Sequence, residues 1–264
     1  MNKRIAIIGC GNLGISIIHG LLGNEELEPG SIIATKRNID TAPDLQDLGI
    51  KFISDNVEAV RNSDMILIAV KPYDIKNVLS EIKDEIDPDR HILVSLATGV
   101  SIEEIDNLLQ IKIPIFRAMP NIATDIRESV TCICHTHATE AQAESVRWVF
   151  DHLGITIKIN EELMEAATIL GACGIAYALR FIRAMIQGGI QIGFDATTAK
   201  DIVNQTVKGA AELLITKNEH PEMEIDKVTT PKGCTIVGLN EMEHQGFSSS
   251  LIRGIVTSYN IIEK

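Results

Sequence analysis

The segment Gly9-Cys10-Gly11-Asn12-Leu13-Gly14 has residue types and a spacing that point to chemistry. It follows the apolar run Ile5–Ile8 and leads into an amphipathic stretch, Asn12–Leu22. Three glycines so placed make the strand-to-helix turn that receives a dinucleotide pyrophosphate. Gly9 permits the tight turn, Gly11 lets the backbone approach the phosphates, and Gly14 lets the helix pack close to the strand. The helix start, with Asn12 and Leu13 in its first turn, offers free N–H groups and the positive end of the helix dipole. A structural turn in an unliganded α/β protein is the alternative reading.

The ribose partner is expected about 20 residues further on, at the end of the second strand. The chain there reads Ala34-Thr35-Lys36-Arg37-Asn38, with no carboxylate before Asp40. A hydroxyl and two adjacent cations suit a 2′-phosphate, which favours NADPH, with NADH as the alternative cofactor. Two adjacent charges also describe a solvated basic turn. Val70-Lys71-Pro72 closes the apolar run that begins at Met65, and Ala97-Thr98-Gly99 follows the run Ile92–Leu96. Both sit at the carboxyl ends of strands, where ligands bind in open α/β sheets. The small residues of the second would admit a flat ring, while a lone lysine after a strand is equally a surface residue.

A late loop, Val228-Thr229-Thr230-Pro231-Lys232-Gly233-Cys234-Thr235-Ile236, ends where a helix begins at about Thr235. Such an N-terminus can hold a carboxylate, and Thr235 can exchange a hydrogen bond with a reacting nitrogen. Composition alone favours a capped helix start. The run Cys132-Ile133-Cys134-His135-Thr136-His137 lacks the spacing of a structural zinc site and reads as a strand, Val130–Cys134, entering a polar turn. No metal site is expected. No nucleophile elbow is visible, Glu103-Glu104 and Glu222/Glu224 read as solvated helix faces, and Trp148 is expected to pack on a sheet.

These residues need elements to place them. Apolar runs recur at Ile5–Ile8, Ile32–Ala34, Met65–Val70, Ile92–Leu96, Ile113–Phe116 and Ile155–Ile159, without polar alternation. They read as strands covered on both faces. Helical patterns lie between them, at Asn12–Leu22, Ile75–Lys83, Ile102–Leu109 and Thr139–Leu153, with a capping box at Ser101-Ile102-Glu103-Glu104. The alternation predicts an α/β domain with a parallel open sheet over residues 1–159. From residue 160 to 264 every pattern is helical, with helices expected at Glu161–Leu170, Ile175–Ile192, Ala196–Thr216 and Gly246–Ile262. Gly188, Gly189 and Gly193 are expected to break or closely pack one of them. Apolar stretches such as Leu213–Ile215 need more cover than so small a domain supplies, which predicts a partner chain.

The chain has 264 residues and a formal charge of −12, with 45% apolar and 4% aromatic residues. The acidic balance and the few aromatics argue against a nucleic-acid binder. No uninterrupted apolar run approaches the roughly 18–20 residues of a membrane span. Five cysteines without framework spacing read as reduced thiols in a cytoplasmic protein.

Taken together, the ordered motifs resemble the pyrroline-5-carboxylate reductase family over nearly the whole chain. They are Gly9–Gly14, Val70-Lys71-Pro72, Leu96-Ala97-Thr98-Gly99-Val100-Ser101, Arg117-Ala118-Met119-Pro120-Asn121, Gly174-Ile175-Ala176-Tyr177 and Thr229–Thr235. The resemblance implies a Rossmann-type dinucleotide-binding domain followed by an all-α dimerisation domain. It implies NAD(P)H-dependent reduction of the C=N bond of 1-pyrroline-5-carboxylate to L-proline, in a homodimer that can assemble into a homodecamer. By position it assigns Asn56, Lys71, Pro72 and Ala97–Gly99 to the cofactor. Thr230, Lys232, Gly233, Cys234 and Thr235 go to the substrate, Thr235 near the imine nitrogen, and Glu161 is a substrate-site carboxylate. The chain departs from the family pattern at Cys173, Ile175, Ile122-Ala123 and Cys234, and at Lys232, which replaces a glycine. These departures leave open a related imine or ketone reductase with another substrate, and a non-catalytic nucleotide-binding relative.

Overall fold

The computed structural model describes residues 3–23, 27–37 and 43–262, so Asn38 and Asp40 lie outside the described residues. Eight strands form one sheet: β1 Ile5–Ile8, β2 Ile32–Thr35, β3 Lys51–Ile53, β4 Met65–Ile68, β5 Ile92–Ser95, β6 Ile115–Met119, β7 Ser129–Thr136 and β8 Gly154–Lys158. Their order is β3-β2-β1-β4-β5-β6-β7-β8. Every residue of β1, β2, β4, β5 and β6 is buried, which is why their sequences carry no polar alternation.

Six helices complete this part: α1 Asn12–Leu22, α2 Pro43–Asp47, α3 Asn56–Arg61, α4 Ile75–Ile82, α5 Ile102–Leu109 and α6 Glu140–Asp151. One core joins Ile5, Ile7 and Phe116 of the sheet to Ile17, Ile18 and Leu21 of α1 and Val149 and Phe150 of α6. The other joins Ile8, Ile66, Ile68 and Leu93 to Val78, Leu79 and Ile82 of α4 and Ile105 of α5. Each fully buried Ile, Leu or Phe contributes about 1.5–3 kcal/mol to folding. Trp148 packs against the first core and stacks obliquely on His152 at 4.2 Å. The expected capping box is present on α5: Ser101 Oγ accepts from Glu104 N at 3.1 Å, and Glu104 Oε2 accepts from Ser101 N at 2.8 Å.

The sheet is not wholly parallel, because β7 runs antiparallel to β6. The two are joined only by the 3₁₀ turn Ile122–Ile126, and a parallel return needs a crossover of a dozen or more residues. The strand β3 escaped the periodicity because its pattern is short and half exposed.

The chain divides into two compact units at Cys173/Gly174, later than the change of pattern after residue 159. The cause is packing: Met164, Thr168 and Ile169 are buried within the first unit. The stretches expected as two helices, Glu161–Leu170 and Ile175–Ile192, form one helical run, Glu161–Gln191. It comprises α7 Met164–Ala167, a π-helical stretch Thr168–Cys173 and α8 Gly174–Gln191. This run is long and apolar enough by length and composition to cross a membrane, with a mean hydropathy of 1.6 in its most apolar window. Counting uninterrupted apolar residues misses it, because Gly, Thr and Tyr lie within it.

The second unit continues with α9 Ala196–Lys217, α10 Pro221–Lys227, α11 Cys234–His244 and α12 Phe247–Ile262. Gly188 and Gly189 do not break α8, whose end is followed by Gly193 at φ 117°. A Cβ at Gly189 would lie 3.2 Å from Ala199 Cβ, so this glycine brings α8 and α9 close together. Tyr177 Oη donates to Ser258 Oγ at 2.7 Å, tying α8 to α12. Among the described residues of this unit only Ala199 and Val203 are buried. Leu213 and Ile215 are 42% and 75% exposed, so their apolar faces are uncovered in the single chain.

Candidate cofactor and substrate sites

The strand order reverses direction about β1, which has β2 on one side and β4 on the other. The carboxyl ends of these strands therefore diverge and leave a crevice at the glycine loop. Gly9 has φ 79°, and a Cβ there would overlap Val70 Cγ1 and stand 3.3 Å from the Val70 Cα. Only glycine fits both the conformation and the space. A Cβ at Gly14 would meet Cys10 Sγ at 3.0 Å and Ile7 Cγ2 at 3.3 Å, so α1 lies directly on β1. A Cβ at Gly11 would meet nothing nearer than Gly9 O at 4.0 Å, so this side of the loop is open. No side chain caps the first turn of α1, where Asn12, Leu13 and Gly14 lie, and no acidic residue stands there. That open, uncapped helix start fits a pyrophosphate.

Loop geometry is fixed from β2. Thr35 is buried, its Oγ1 accepts from Gly9 N at 3.1 Å, and its carbonyl accepts from Cys10 N at 2.8 Å. Thr35 thus holds the loop as well as lining the crevice. Cys10 is buried beneath the loop, and burial pushes its thiol pKa up to about 11, with Lys36 opposing. It is an inert packing group.

A cavity of about 220 Å³ lies at the ends of β1, β2 and β4. It gathers Gly9, Thr35, Lys36, Arg37, Asn56 and Val70, all named from sequence. Lys71 and Pro72 are exposed at the end of β4. After β5, Ala97 is buried, Thr98 Oγ1 faces Met119 Sδ at 3.9 Å, and Gly99 has φ 70° with open space around it. These placements are as the strand-end reading requires.

The same cavity holds residues the sequence reasoning passed over: Asp74, Asn77, Val78 and Glu81. Arg37 pairs with Asp74 at 3.4 Å, and Asn56 Nδ2 donates to Glu81 Oε2 at 2.9 Å. Their spacing of three, four and seven residues, placing them on one helix face just after Lys71-Pro72, is the signal that could have found them.

Glu161 is placed elsewhere in this unit. Its Oε1 accepts from Ile102 N at 2.7 Å, at the start of α5, and from Arg117 Nη1 at 3.2 Å. Arg117, 3% exposed, also donates to Glu165 Oε1 at 2.8 Å. A carboxylate so engaged binds a helix start and a buried cation, which is a holding role and corrects the expectation of a catalytic one. Asn121, at the end of the same motif, donates to Gly171 O at 3.2 Å and accepts from Ala123 N at 2.9 Å. Nearby, burial and then the Glu161 carboxylate push the Cys134 thiol up to about 11. Among the described residues no three His, Cys, Asp or Glu side chains are arranged to hold a metal ion.

The second unit carries the late loop. Gly233 N donates to Thr230 O at 2.9 Å, closing a turn through Pro231 and Lys232. A Cβ at Gly233 would lie 2.5 Å from Thr230 Oγ1 and 3.0 Å from its carbonyl, so the turn requires glycine. Gly233 stands at the N-cap of α11, and no side chain caps that helix. Cys234 is exposed and Thr235 half-buried in its first turn. Lys232 is exposed at φ 61°, a conformation that costs an ordinary residue about 1–2 kcal/mol.

The family model for pyrroline-5-carboxylate reductase dimerisation matches residues 161–264. The model for NADP oxidoreductase, coenzyme F420-dependent, matches residues 4–99. Pyrroline-5-carboxylate reductase 1 of Dictyostelium discoideum is 44% identical over 97% of this chain, which spans only 49% of that protein. Pyrroline-5-carboxylate reductase 2 of the same organism is 41% identical over 97% of this chain and 91% of its own length. A crystal structure of Plasmodium falciparum pyrroline carboxylate reductase with NADP bound superposes with a TM-score of 0.91 at 24% identity, covering 99% of this chain and 97% of that one.

Proposed function

The chain belongs to the pyrroline-5-carboxylate reductase family, and on that premise we propose that it reduces the ring C=N of 1-pyrroline-5-carboxylate to L-proline with NADPH. The observation that carries the reading is the crevice where the open glycine loop meets Lys36 and Arg37. The nicotinamide cofactor supplies the hydride. The chain's own residues bind and orient. The first turn of α1 holds the pyrophosphate, Lys36 and Arg37 hold the 2′-phosphate, and Val70 with Ala97–Gly99 leaves room for a flat ring.

The α11 start gives the substrate an anion seat. The uncapped N–H groups of Cys234 and Thr235 would hold its carboxylate, with Thr230, Gly233 and Lys232 shaping the turn. The Thr235 hydroxyl would take a hydrogen bond at the ring nitrogen, which enters protonated and so accepts a hydride at the neighbouring carbon. No protein nucleophile is needed. Glu161 acts as a positioning residue through Arg117 and Ile102.

The exposed apolar faces of α8, α9, α11 and α12 fit burial against a second copy of the chain, as the dimerisation match supports. We place the working unit at a homodimer, with a homodecamer as a further assembly. The test is NADPH consumption with pyrroline-5-carboxylate, with proline identified by chromatography. Dinucleotide binding without turnover would overturn the reading.

A further inference from the structure

The cavity at the ends of β1, β2 and β4 holds two cations, Lys36 and Arg37, and two carboxylates, Asp74 and Glu81. Its charge is therefore balanced, which the sequence around β2 conceals. Asp74 sits at the N-cap of α4 yet makes no capping hydrogen bond. Its carboxylate faces Arg37 instead, at 3.4 Å, with the Arg37 side chain 93% exposed. An ion pair this exposed is weak and exchangeable. A phosphomonoester dianion is a stronger partner for a guanidinium than one carboxylate, so it can draw Arg37 away. In dinucleotide folds selective for NAD, a carboxylate at the end of β2 accepts from the ribose 2′-hydroxyl. Here cations occupy that place, and a carboxylate reaches the same cavity from the turn after β4.

We propose that Asp74 is a specificity-determining residue that lets one pocket take both NADH and NADPH, accepting from the 2′-hydroxyl of the first and releasing Arg37 to the 2′-phosphate of the second. The inference rests on the proposed cofactor site and deepens it. Asp74 has opposite effects on the two cofactors. It supplies an acceptor to the hydroxyl, and it opposes the phosphate by like charge and by competing for Arg37. Glu81, engaged with Asn56 at 2.9 Å, adds to the negative side of the same cavity.

The experiment compares the wild-type enzyme with Asp74→Ala and Asp74→Glu. Equilibrium binding of NADP⁺ and NAD⁺ is measured by calorimetry, alongside KM for NADPH and NADH. In Asp74→Ala the NADP⁺ Kd should fall and the NAD⁺ Kd rise by roughly threefold each, a shift of about tenfold in their ratio, the scale of an exposed ion pair. Asp74→Glu, which keeps the carboxylate, should restore NAD⁺ binding. Wild-type binding of both dinucleotides with a ratio unchanged in Asp74→Ala overturns this inference alone. Two constants that move together overturn it likewise. Wild-type protein that binds neither dinucleotide overturns the cofactor site itself.

Discussion

Replacing Gly9 by alanine separates two costs that the structure places at one atom. The new Cβ would overlap Val70 Cγ1 and stand 3.3 Å from the Val70 Cα, inside the roughly 3.5–4.0 Å of an ordinary carbon contact. Rotating the Val70 side chain relieves the first clash but not the second, and valine is stiff about χ1. Overpacking of this kind costs about 1–3 kcal/mol. The backbone adds a second cost, because φ 79° is strained for any residue with a Cβ, by about 1–2 kcal/mol. The sum is about 2–5 kcal/mol, which for a chain of this size lowers Tm by roughly 5–15 °C. Relaxation would also pull Gly9 N from Thr35 Oγ1, so NADP⁺ affinity should drop by an order of magnitude or more. Thermal unfolding followed by circular dichroism, with an NADP⁺ titration, reads both effects. Adding Val70→Ala should recover the steric part and leave the φ part. A Gly9→Ala protein that melts with the parent and binds NADP⁺ equally well would refute the assignment of this glycine.

Other substitutions probe the remaining parts. Lys36→Ala with Arg37→Ala should raise KM for NADPH on the order of tenfold and leave that for NADH nearly unchanged, checked by steady-state kinetics. Lys232→Gly should raise Tm slightly, because relief of a φ of 61° is partly offset by the greater freedom of glycine in the unfolded chain. The same change should raise KM for pyrroline-5-carboxylate if the lysine charge aids its carboxylate. Arg117→Met leaves Glu161 and Glu165 without their buried cation and should cost about 2–4 kcal/mol, the lower end reflecting partly exposed carboxylates, as measured by urea unfolding. His91 is buried and neutral, with Nδ1 accepting from Asp87 N at 2.9 Å, and burial with the adjacent Arg90 holds its pKa below the ordinary 6.5. The unfolded chain then binds the extra proton first, so stability is present above about pH 6.5 and falls as pH drops below it. His91→Gln should flatten that fall in a series of thermal melts.

Much of the cofactor site was legible because its information is local. A glycine loop, the strand before it and the helix after it lie within about twenty consecutive residues, and sterics alone dictate what each glycine does. The capping box on α5 was readable for the same reason, since its two bonds join residues three apart. The helical half was legible as apolar helices, but not its exact segmentation. The π-helical stretch at Thr168–Cys173 keeps the chain helical through a sequence that reads as a break. The antiparallel β7 followed from the brevity of the link after β6, which hydrophobic patterning does not encode.

What the sequence determined by itself was the class of fold, the strand-end positions of the cofactor residues, and the need of the second half for a covering surface. These follow from short-range spacing and from apolar area, both of which are properties of the unfolded chain. Only the tertiary structure decided the charges. Arg37 and Asp74 are 37 residues apart, and Arg117 and Glu161 are 44 apart, yet each pair meets in space. An ionic partner is set by which strand ends and helix starts pack together, so the neutral cavity around Lys36 and Arg37 appears only once β2 and the turn after β4 lie side by side.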